Sequence, residues 1–132
     1  MSESLKKVSA LSLFVEDLPG AKSFYLQVFG APILFEDESS AALKFDNLII
    51  NLLQARSAPE IIEPSVVAPP GSGCRFQISV WVKDVDSVIA ELKQLGVRPL
   101  TGPLERPWGM RTVNFVDPAG HSWEVAQRMD SK

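Results

Sequence analysis

Two stretches of the chain repeat one order of apolar and polar positions. Residues 8–35 and 74–100 each begin with an alternating run of β-branched and aromatic side chains, which predicts a strand with one buried face. Apolar residues then recur with helical spacing, and a short apolar segment predicts a second strand. An acidic residue precedes each helix (Asp17, Asp84) and a glycine follows it (Gly30, Gly96). The acidic residues lie 67 positions apart and the glycines 66, which indicates an internal duplication.

Each half continues with two more predicted strands joined by a turn. "AALKF" and "LIINLL" meet at Asp46–Asn47, and "MRTVNFV" and "HSWEVAQ" meet at residues 117–120. The pattern predicts a single α+β domain over residues 1–132, made of tandem βαβββ modules at 8–54 and 74–128. Residues 55–73 hold four prolines and two glycines, which predicts a linker or a loop over a pocket mouth.

Composition narrows the classes of function. Of 132 residues 45% are hydrophobic and 22% charged, as in ordinary globular proteins, and the formal net charge of −3 argues against a nucleic-acid binder. No apolar run approaches the roughly 18 residues that span a membrane, and no signal peptide is evident. The single cysteine, Cys74, cannot form an internal disulfide, which favours a reducing cytoplasm.

Two sets of motifs resemble one superfamily over residues 8–128. They are "V-x-D-L…F-Y…V-F-G" in the first half and "V-x-D-V…L-G-V…F-x-D-P-x-G-x-x-W-E-V" in the second. The chain resembles the vicinal oxygen chelate superfamily, which groups glyoxalases, bleomycin resistance proteins and extradiol dioxygenases. The resemblance implies a curved mixed sheet around a concave cavity with the helices on its outer face. It also implies four metal-ligand positions, on the first and last strands of each module.

Those four positions fall on Ala10, Asn51, Gln77 and Glu124. Alanine cannot bind a metal and neutral amides are weak ligands, so we expect no metal cofactor. His121 lies three residues before Glu124, and strand alternation turns it to the opposite face. We interpret it as a surface histidine of the turn. The poor ligand set places the chain nearest to metal-free bleomycin-resistance-like members, whose cavities commonly lie at a homodimer interface.

Strand alternation also predicts which side chains line the cavity. The predicted ligand-binding residues are Phe14, Asn51, Arg75, Gln77, Ser79, Trp81 and Glu124, together with Trp108 in the loop "RPWGM". Arg75 either binds an anion or pairs with Glu124 across the cavity. Trp123 is expected in the core and Cys74 as a small buried hydrophobe.

Two further arginines flank the tryptophan loop. We interpret Arg106 and Arg111 as solvated surface charges.

The sequence is compatible with three functions. The first is a cytoplasmic homodimer that binds a small, partly aromatic molecule without a metal, as in antibiotic sequestration, and contacts neither nucleic acid nor membrane. The second is a lyase, isomerase or dioxygenase of the same superfamily, metal-dependent or using Glu124 as general base in an apolar cavity. The third is a protein with a vestigial cavity that acts through its dimer surface.

Overall fold

The computed structural model describes residues 3–129 and contains two four-stranded mixed sheets, one in each predicted module. After a 3₁₀ turn at Glu3–Lys6, the first module holds β1 (Ala10–Val15), α1 (Leu18–Phe29), β2 (Ile33–Glu36), β3 (Ser40–Lys44) and β4 (Ile49–Gln54). The second holds β5 (Gln77–Val82), α3 (Val85–Gln94), β6 (Thr101–Glu105), β7 (Met110–Val116) and β8 (Ser122–Arg128). The predicted α+β class and the βαβββ order of both modules are confirmed.

The two sheets have the same strand order. It is β1-β4-β3-β2 in the first and β5-β8-β7-β6 in the second, with the first and last strands of each module parallel and the other pairs antiparallel. The first and last strands are therefore central neighbours in each module. Asn51 lies opposite Ser12 in one sheet, and Glu124 lies opposite Ser79 in the other.

The acidic residues cap the helices as the sequence predicts. The Asp17 carboxylate accepts a hydrogen bond from the Gly20 amide at 3.1 Å. The Asp84 carboxylate accepts from the amides of Asp86 and Ser87 at 3.1 and 3.3 Å. These bonds satisfy amides that have no partner within the helix, so each strand-to-helix junction is set locally.

Glycine ends the long helices because the chain takes up the left-handed conformation there. Gly30 has φ 64°, and its amide donates to the Leu26 carbonyl at 3.0 Å. Gly96 has φ 79°, and the Val97 amide beyond it donates to Leu92 at 2.8 Å. A side chain would be strained at either position.

The two long helices, α1 and α3, each cover one face of their own sheet. In the first module the helix-facing residues Leu13, Ile50 and Leu52 are buried together with Tyr25 of α1. In the second, Val113, Phe115, Trp123 and Val125 are buried, which confirms Trp123 as a core residue. Burying a side chain of this size stabilises the fold by about 1.5–3 kcal/mol, so these residues hold the sheets against the helices.

Several predicted boundaries are wrong. The segment "VRPLTG" at 97–102 was expected to be a strand, but β6 begins only at Thr101, because Val97 closes the end of α3 and Pro99 has no amide hydrogen to donate. Strand β5 begins at Gln77 rather than at residue 74. Residues 55–73 include a 3₁₀ turn at Ala55–Ser57 and a short helix, α2 (Pro59–Ile62).

The chain divides into two compact units between Pro69 and Pro70. The first unit contains β1 to β4 with α1 and α2, and the second contains β5 to β8 with α3. No helix within residues 3–129 is long and apolar enough to cross a membrane.

Candidate functional site

The candidate site is the sheet face of the second unit that α3 leaves uncovered, which we call the open face. It carries alternate residues of three adjacent strands. They are Gln77, Ser79 and Trp81 on β5; Ser122, Glu124, Ala126 and Arg128 on β8; and Met110, Thr112, Asn114 and Val116 on β7. The predicted residues Gln77, Ser79, Trp81 and Glu124 are thus brought together on one surface.

Glu124 occupies the middle of this face, between Ser79 on β5 and Asn114 on β7. Its Oε1 accepts a hydrogen bond from the Ser79 hydroxyl at 2.8 Å. The carboxylate is half-buried, and no cation within residues 3–129 forms an ion pair with it. Its Oε2 has no hydrogen-bond donor among these residues and can accept one from a ligand.

Amide side chains flank the carboxylate in fixed orientations. Gln77 donates from Nε2 to the Ser122 hydroxyl at 3.0 Å. Asn114 accepts at Oδ1 from the Thr101 amide at 2.8 Å. The residues directly opposite Glu124 on the neighbouring strands, Ser79 and Asn114, are therefore polar, whereas the enzymatic alternative assumed an apolar cavity.

Trp81 lies at the end of the open face, where β5 stops. Its ring is 66% exposed, and the Arg128 guanidinium carbon lies 5.7 Å from the ring centroid. Ala126, opposite Trp81 on β8, is only 1% exposed although it belongs to the open face. Its neighbours across the strands are Trp81 and Thr112, which have larger side chains.

The tryptophan loop is a tight turn over residues 106–109 that folds Arg106 back onto the open face. The Arg106 amide donates to the Met110 carbonyl at 2.7 Å, and the Gly109 amide donates to Arg106 at 3.0 Å. Arg106 Nε donates to the hydroxyl of the buried Thr112 at 3.0 Å. The guanidinium carbon of Arg106 lies 5.7 Å from the centroid of Trp108, whose side chain is 66% exposed.

The interpretation of Arg106 as a solvated surface charge is therefore wrong. Strand alternation could have placed Thr112 on the face of Met110, two residues before it, but only the turn at 106–109 brings Arg106 onto Thr112. The sequence prediction also missed Thr112, Asn114 and Arg128 as members of the site.

Arg111 was likewise expected to be solvated and instead lies on the helix side of the sheet. It donates to both carboxylate oxygens of Asp86 at 2.9 and 3.2 Å, and Glu105 is 3.6 Å away. The hydrogen bond with Asp86, with the charges of Asp86 and Glu105, raises the pKa of Arg111 above its usual value. Its charge is thus matched locally and is not available to a ligand on the open face.

Two predicted residues near the start of β5 behave differently from the prediction. Arg75 precedes the strand, is exposed, and forms no ion pair with Glu124, so the predicted pairing across the cavity is wrong. Cys74 is exposed rather than buried, and its thiol donates to the Gly120 carbonyl at 3.4 Å. The β5–β8 pairing starts only at Gln77, which leaves both side chains outside the sheet.

His121 is not the surface histidine that was expected. Its Nδ1 lies 2.9 Å from Oδ2 of the buried Asp117, and its side chain is mostly covered. The carboxylate accepts this bond, so Nδ1 carries the proton. His121 faces away from Glu124, toward the ring of Phe76, as strand alternation predicts.

The corresponding face of the first unit is more apolar. It carries Ala10, Ser12 and Phe14 on β1 and Ile49, Asn51 and Leu53 on β4. The polar contact among them is a 3.5 Å hydrogen bond from Asn51 Nδ2 to the Ser12 hydroxyl. The predicted residues Phe14 and Asn51 are both half-buried on this face.

The residues at the family's ligand positions do not fit a divalent metal. Ala10 has no donor atom, while Asn51 and Gln77 offer neutral amides that are already hydrogen-bonded to serines. Glu124 alone is anionic. Within residues 3–129 no three His, Cys, Asp or Glu side chains come together as a possible metal site.

A depression of about 640 Å³ lies elsewhere, in the first unit after β4. Its lining residues are Ala55, Pro59, Glu63, Pro64, Ser65, Val66 and Val67. It contains none of the predicted site residues and one charged side chain, Glu63, so it lacks the convergent polar groups of the open face.

Comparison with known proteins agrees with this fold. Residues 7–125 match the family described as the glyoxalase/bleomycin resistance protein/dioxygenase superfamily. The chain is 32% identical over 124 residues to the uncharacterized protein YraH of Bacillus subtilis, covering 90% of this chain and 96% of that protein.

Two solved structures share the fold at lower identity. A glyoxalase/bleomycin resistance protein/dioxygenase from Nocardioides has a TM-score of 0.85 at 22% identity, covering 96% of this chain and 85% of that one. A lactoylglutathione lyase from Agrobacterium tumefaciens has a TM-score of 0.73 at 21% identity, covering 91% and 92%. At these identities the likeness concerns the fold and leaves the chemistry open.

Proposed function

This chain belongs to the glyoxalase/bleomycin resistance protein/dioxygenase superfamily, and we propose that it binds a small, partly aromatic molecule on the open face without a metal. One observation carries the proposal. A half-buried carboxylate and fixed amides share this surface with an exposed tryptophan, and a second exposed tryptophan borders it. Apolar rings that accompany a few positioned polar groups are typical of small-molecule sites.

Each part of the site has a distinct task in this proposal. The exposed rings of Trp81 and Trp108 stack on a planar ligand, and stacking of this kind contributes about 0.5–1.5 kcal/mol beyond the area buried. Glu124 Oε2 accepts a hydrogen bond from a ligand hydroxyl or amine, since Oε1 is already occupied by Ser79. Ser79 positions the Glu124 carboxylate by a hydrogen bond, and Gln77 positions the neighbouring hydroxyl of Ser122 in the same way.

Binding without turnover is the mode of action that we favour, and sequestration of an aromatic antibiotic is an example. The ligand positions lack the donors for a Lewis-acidic metal, as the neutral amides and Ala10 show. Phe14 and Asn51 stay predicted ligand contacts on the corresponding face of the first unit, where strand alternation places them, and Arg75 stays a predicted contact although it precedes β5. The exposed thiol of Cys74 is compatible with the cytoplasm, where thiols stay reduced.

Fluorescence titration tests the proposal directly. We expect bleomycin-like, mitomycin-like or other aromatic compounds to change the emission of Trp81 and Trp108, and Trp81→Leu and Trp108→Leu to weaken binding about tenfold each. Phe76→Leu is the matched control, because Phe76 is also exposed but lies off the open face. An unchanged emission across such a panel would refute the proposal.

The absence of a metal requirement is tested separately. Elemental analysis of protein purified without chelators should give substoichiometric Zn, Ni, Mn and Fe, and added chelator should leave the affinity unchanged. Stoichiometric metal would show that our placement of the ligand positions is wrong. Consumption of the bound compound, lost in Glu124→Gln, would instead favour the enzymatic alternative with Glu124 as general base.

A further inference from the structure

Two guanidinium groups on the open face lack an anionic partner. Arg106 bonds to the neutral Thr112 and stacks on Trp108, while Arg128 stacks on Trp81. None of the ion pairs among residues 3–129 includes either arginine. Arg111, on the other side of the same sheet, contacts two carboxylates. The two faces therefore differ in whether their cationic side chains are neutralised.

Arg106 is already held in a geometry suited to an anion. The Nε bond to Thr112 and the contact with Trp108 fix the plane of its guanidinium group, and the side chain is half-buried. Its two terminal nitrogens have no acceptor among the described residues. A planar fork of donors matches a carboxylate, and holding it in place beforehand reduces the entropy lost on binding.

The strand register separates this cationic end from Glu124. Arg128 lies opposite Met110, next to the turn that carries Arg106 and Trp108. Glu124 is four residues before Arg128 on the same strand, about 13 Å at the usual rise per residue, and two residues before Ala126, which pairs with the Thr112 that holds Arg106, about 7 Å. An anion at the turn end therefore lies about 7–13 Å along the sheet from Glu124, and a hydrogen-bond donor elsewhere on the ligand can reach that carboxylate.

We propose that Arg106 and Arg128, with Trp108 and Trp81, form a subsite for the carboxylate of an aromatic carboxylic acid. This inference rests on the proposed function and names the class of ligand. The overall charge of −3 suggests a preference for cations, but the local arrangement on the open face favours an aromatic anion.

Three probes with the same ring test the charge preference by calorimetry at low ionic strength: naphthylacetate, naphthylacetamide and naphthylethylammonium. We expect naphthylacetate to bind at least about tenfold more tightly than the neutral amide, because a charge-assisted bidentate bond replaces a neutral one. The cationic probe should bind most weakly. The affinity for naphthylacetate, but not for the amide, should fall as salt is added.

Variants assign the preference to particular side chains. Arg106→Gln and Arg128→Gln should each lower the affinity for naphthylacetate about tenfold more than that for naphthylacetamide, because only the carboxylate loses a charge-assisted bond. Arg111→Gln is the matched control and should preserve the preference, since Arg111 already bonds to Asp86. Thermal unfolding of each variant identifies any loss of fold, and the wild-type comparison of the three probes does not depend on a variant.

The outcomes separate the two proposals. Equal affinity of the wild-type protein for naphthylacetate and naphthylacetamide would overturn the anionic subsite and leave the proposed function standing. Failure of all three probes to bind would overturn both. A preference for naphthylacetate that survives both Arg106→Gln and Arg128→Gln would overturn the assignment to these arginines.

Discussion

His121 and Glu124 are three residues apart in the sequence and belong to different parts of the second unit. Glu124 lies on the open face and bonds to Ser79, whereas His121 turns toward the helix side and bonds to Asp117. The separation of the two faces follows from strand alternation and could be predicted. The partner of His121 could not be predicted. The Asp117 carboxylate reaches the imidazole only because the hydrogen bonds of the turn at 117–120 bring the two residues together.

Asp117 allows a test at the scale of one residue. Its carboxylate accepts from the amides of Ala119 and His121 and from the His121 ring. We expect Asp117→Ala to reduce the free energy of unfolding by about 3 kcal/mol, because it leaves several covered donors unpaired. Asp117→Asn, whose amide oxygen still accepts, should cost about 1 kcal/mol. Chemical denaturation measures both values.

The same pair of variants has a spectroscopic control. In Asp117→Asn the His121 proton should move from Nδ1 toward Nε2, since an amide nitrogen donates where the carboxylate accepted. Nitrogen chemical shifts of the imidazole report this change. Equal losses of stability in the two variants, with an unchanged tautomer, would contradict the role given to Asp117.

At the scale of elements, the β6–β7 hairpin positions Arg106 and Trp108 at the open face. The strands pair with an irregularity between Thr101 and Leu104, where Gly102 has φ 107°. A Cβ at this glycine would lie 2.5 Å from the Thr112 carbonyl oxygen. The close approach explains why the hairpin requires glycine at that position.

Substitution of Gly102 tests that requirement. Gly102→Ala should lower the free energy of unfolding by about 3 kcal/mol, because it combines an unfavourable φ with contact against rigid backbone. Gly109→Ala is the control in the same hairpin. Gly109 has φ 87° but nothing within 4 Å of its Cβ position, so we expect a loss of about 1 kcal/mol. Thermal unfolding measures both losses. Equal losses of free energy of unfolding in Gly102→Ala and Gly109→Ala would mean that the contact with the Thr112 carbonyl is relieved with little loss of stability.

At the scale of the whole molecule, the duplication has produced two units with the same topology and different open surfaces. The first unit presents Phe14, Ile49 and Leu53, while the second presents Glu124 and two arginines. The shared apolar positions face the helices, so the core pattern is common to both units. The side chains on the open surfaces differ between the two units, and they give the two surfaces different chemical properties.

Assembly is predicted to be dimeric and is tested by native mass spectrometry of the protein as purified. The edge strand β2 exposes Leu34 and Phe35 at 54% and 61%, and adjacent apolar side chains on a free sheet edge favour association. We expect a species of twice the chain mass without bound metal. Phe35→Lys should shift the population toward monomer, and Lys44→Gln, exposed on the neighbouring strand, should not. A wild-type protein that is monomeric at micromolar concentration would contradict the prediction.

The sequence by itself determined the α+β class, the order of elements, the helix ends at Asp17, Gly30, Asp84 and Gly96, and the face on which Glu124 lies. These features depend on neighbouring residues, on side-chain periodicity and on local backbone conformation, which the sequence states directly. The tertiary structure alone decided that Arg106 folds onto Thr112, that Arg111 pairs with Asp86 and that Arg75 stays apart from Glu124. Long, flexible side chains reach many partners, and strand register and turn geometry select among them.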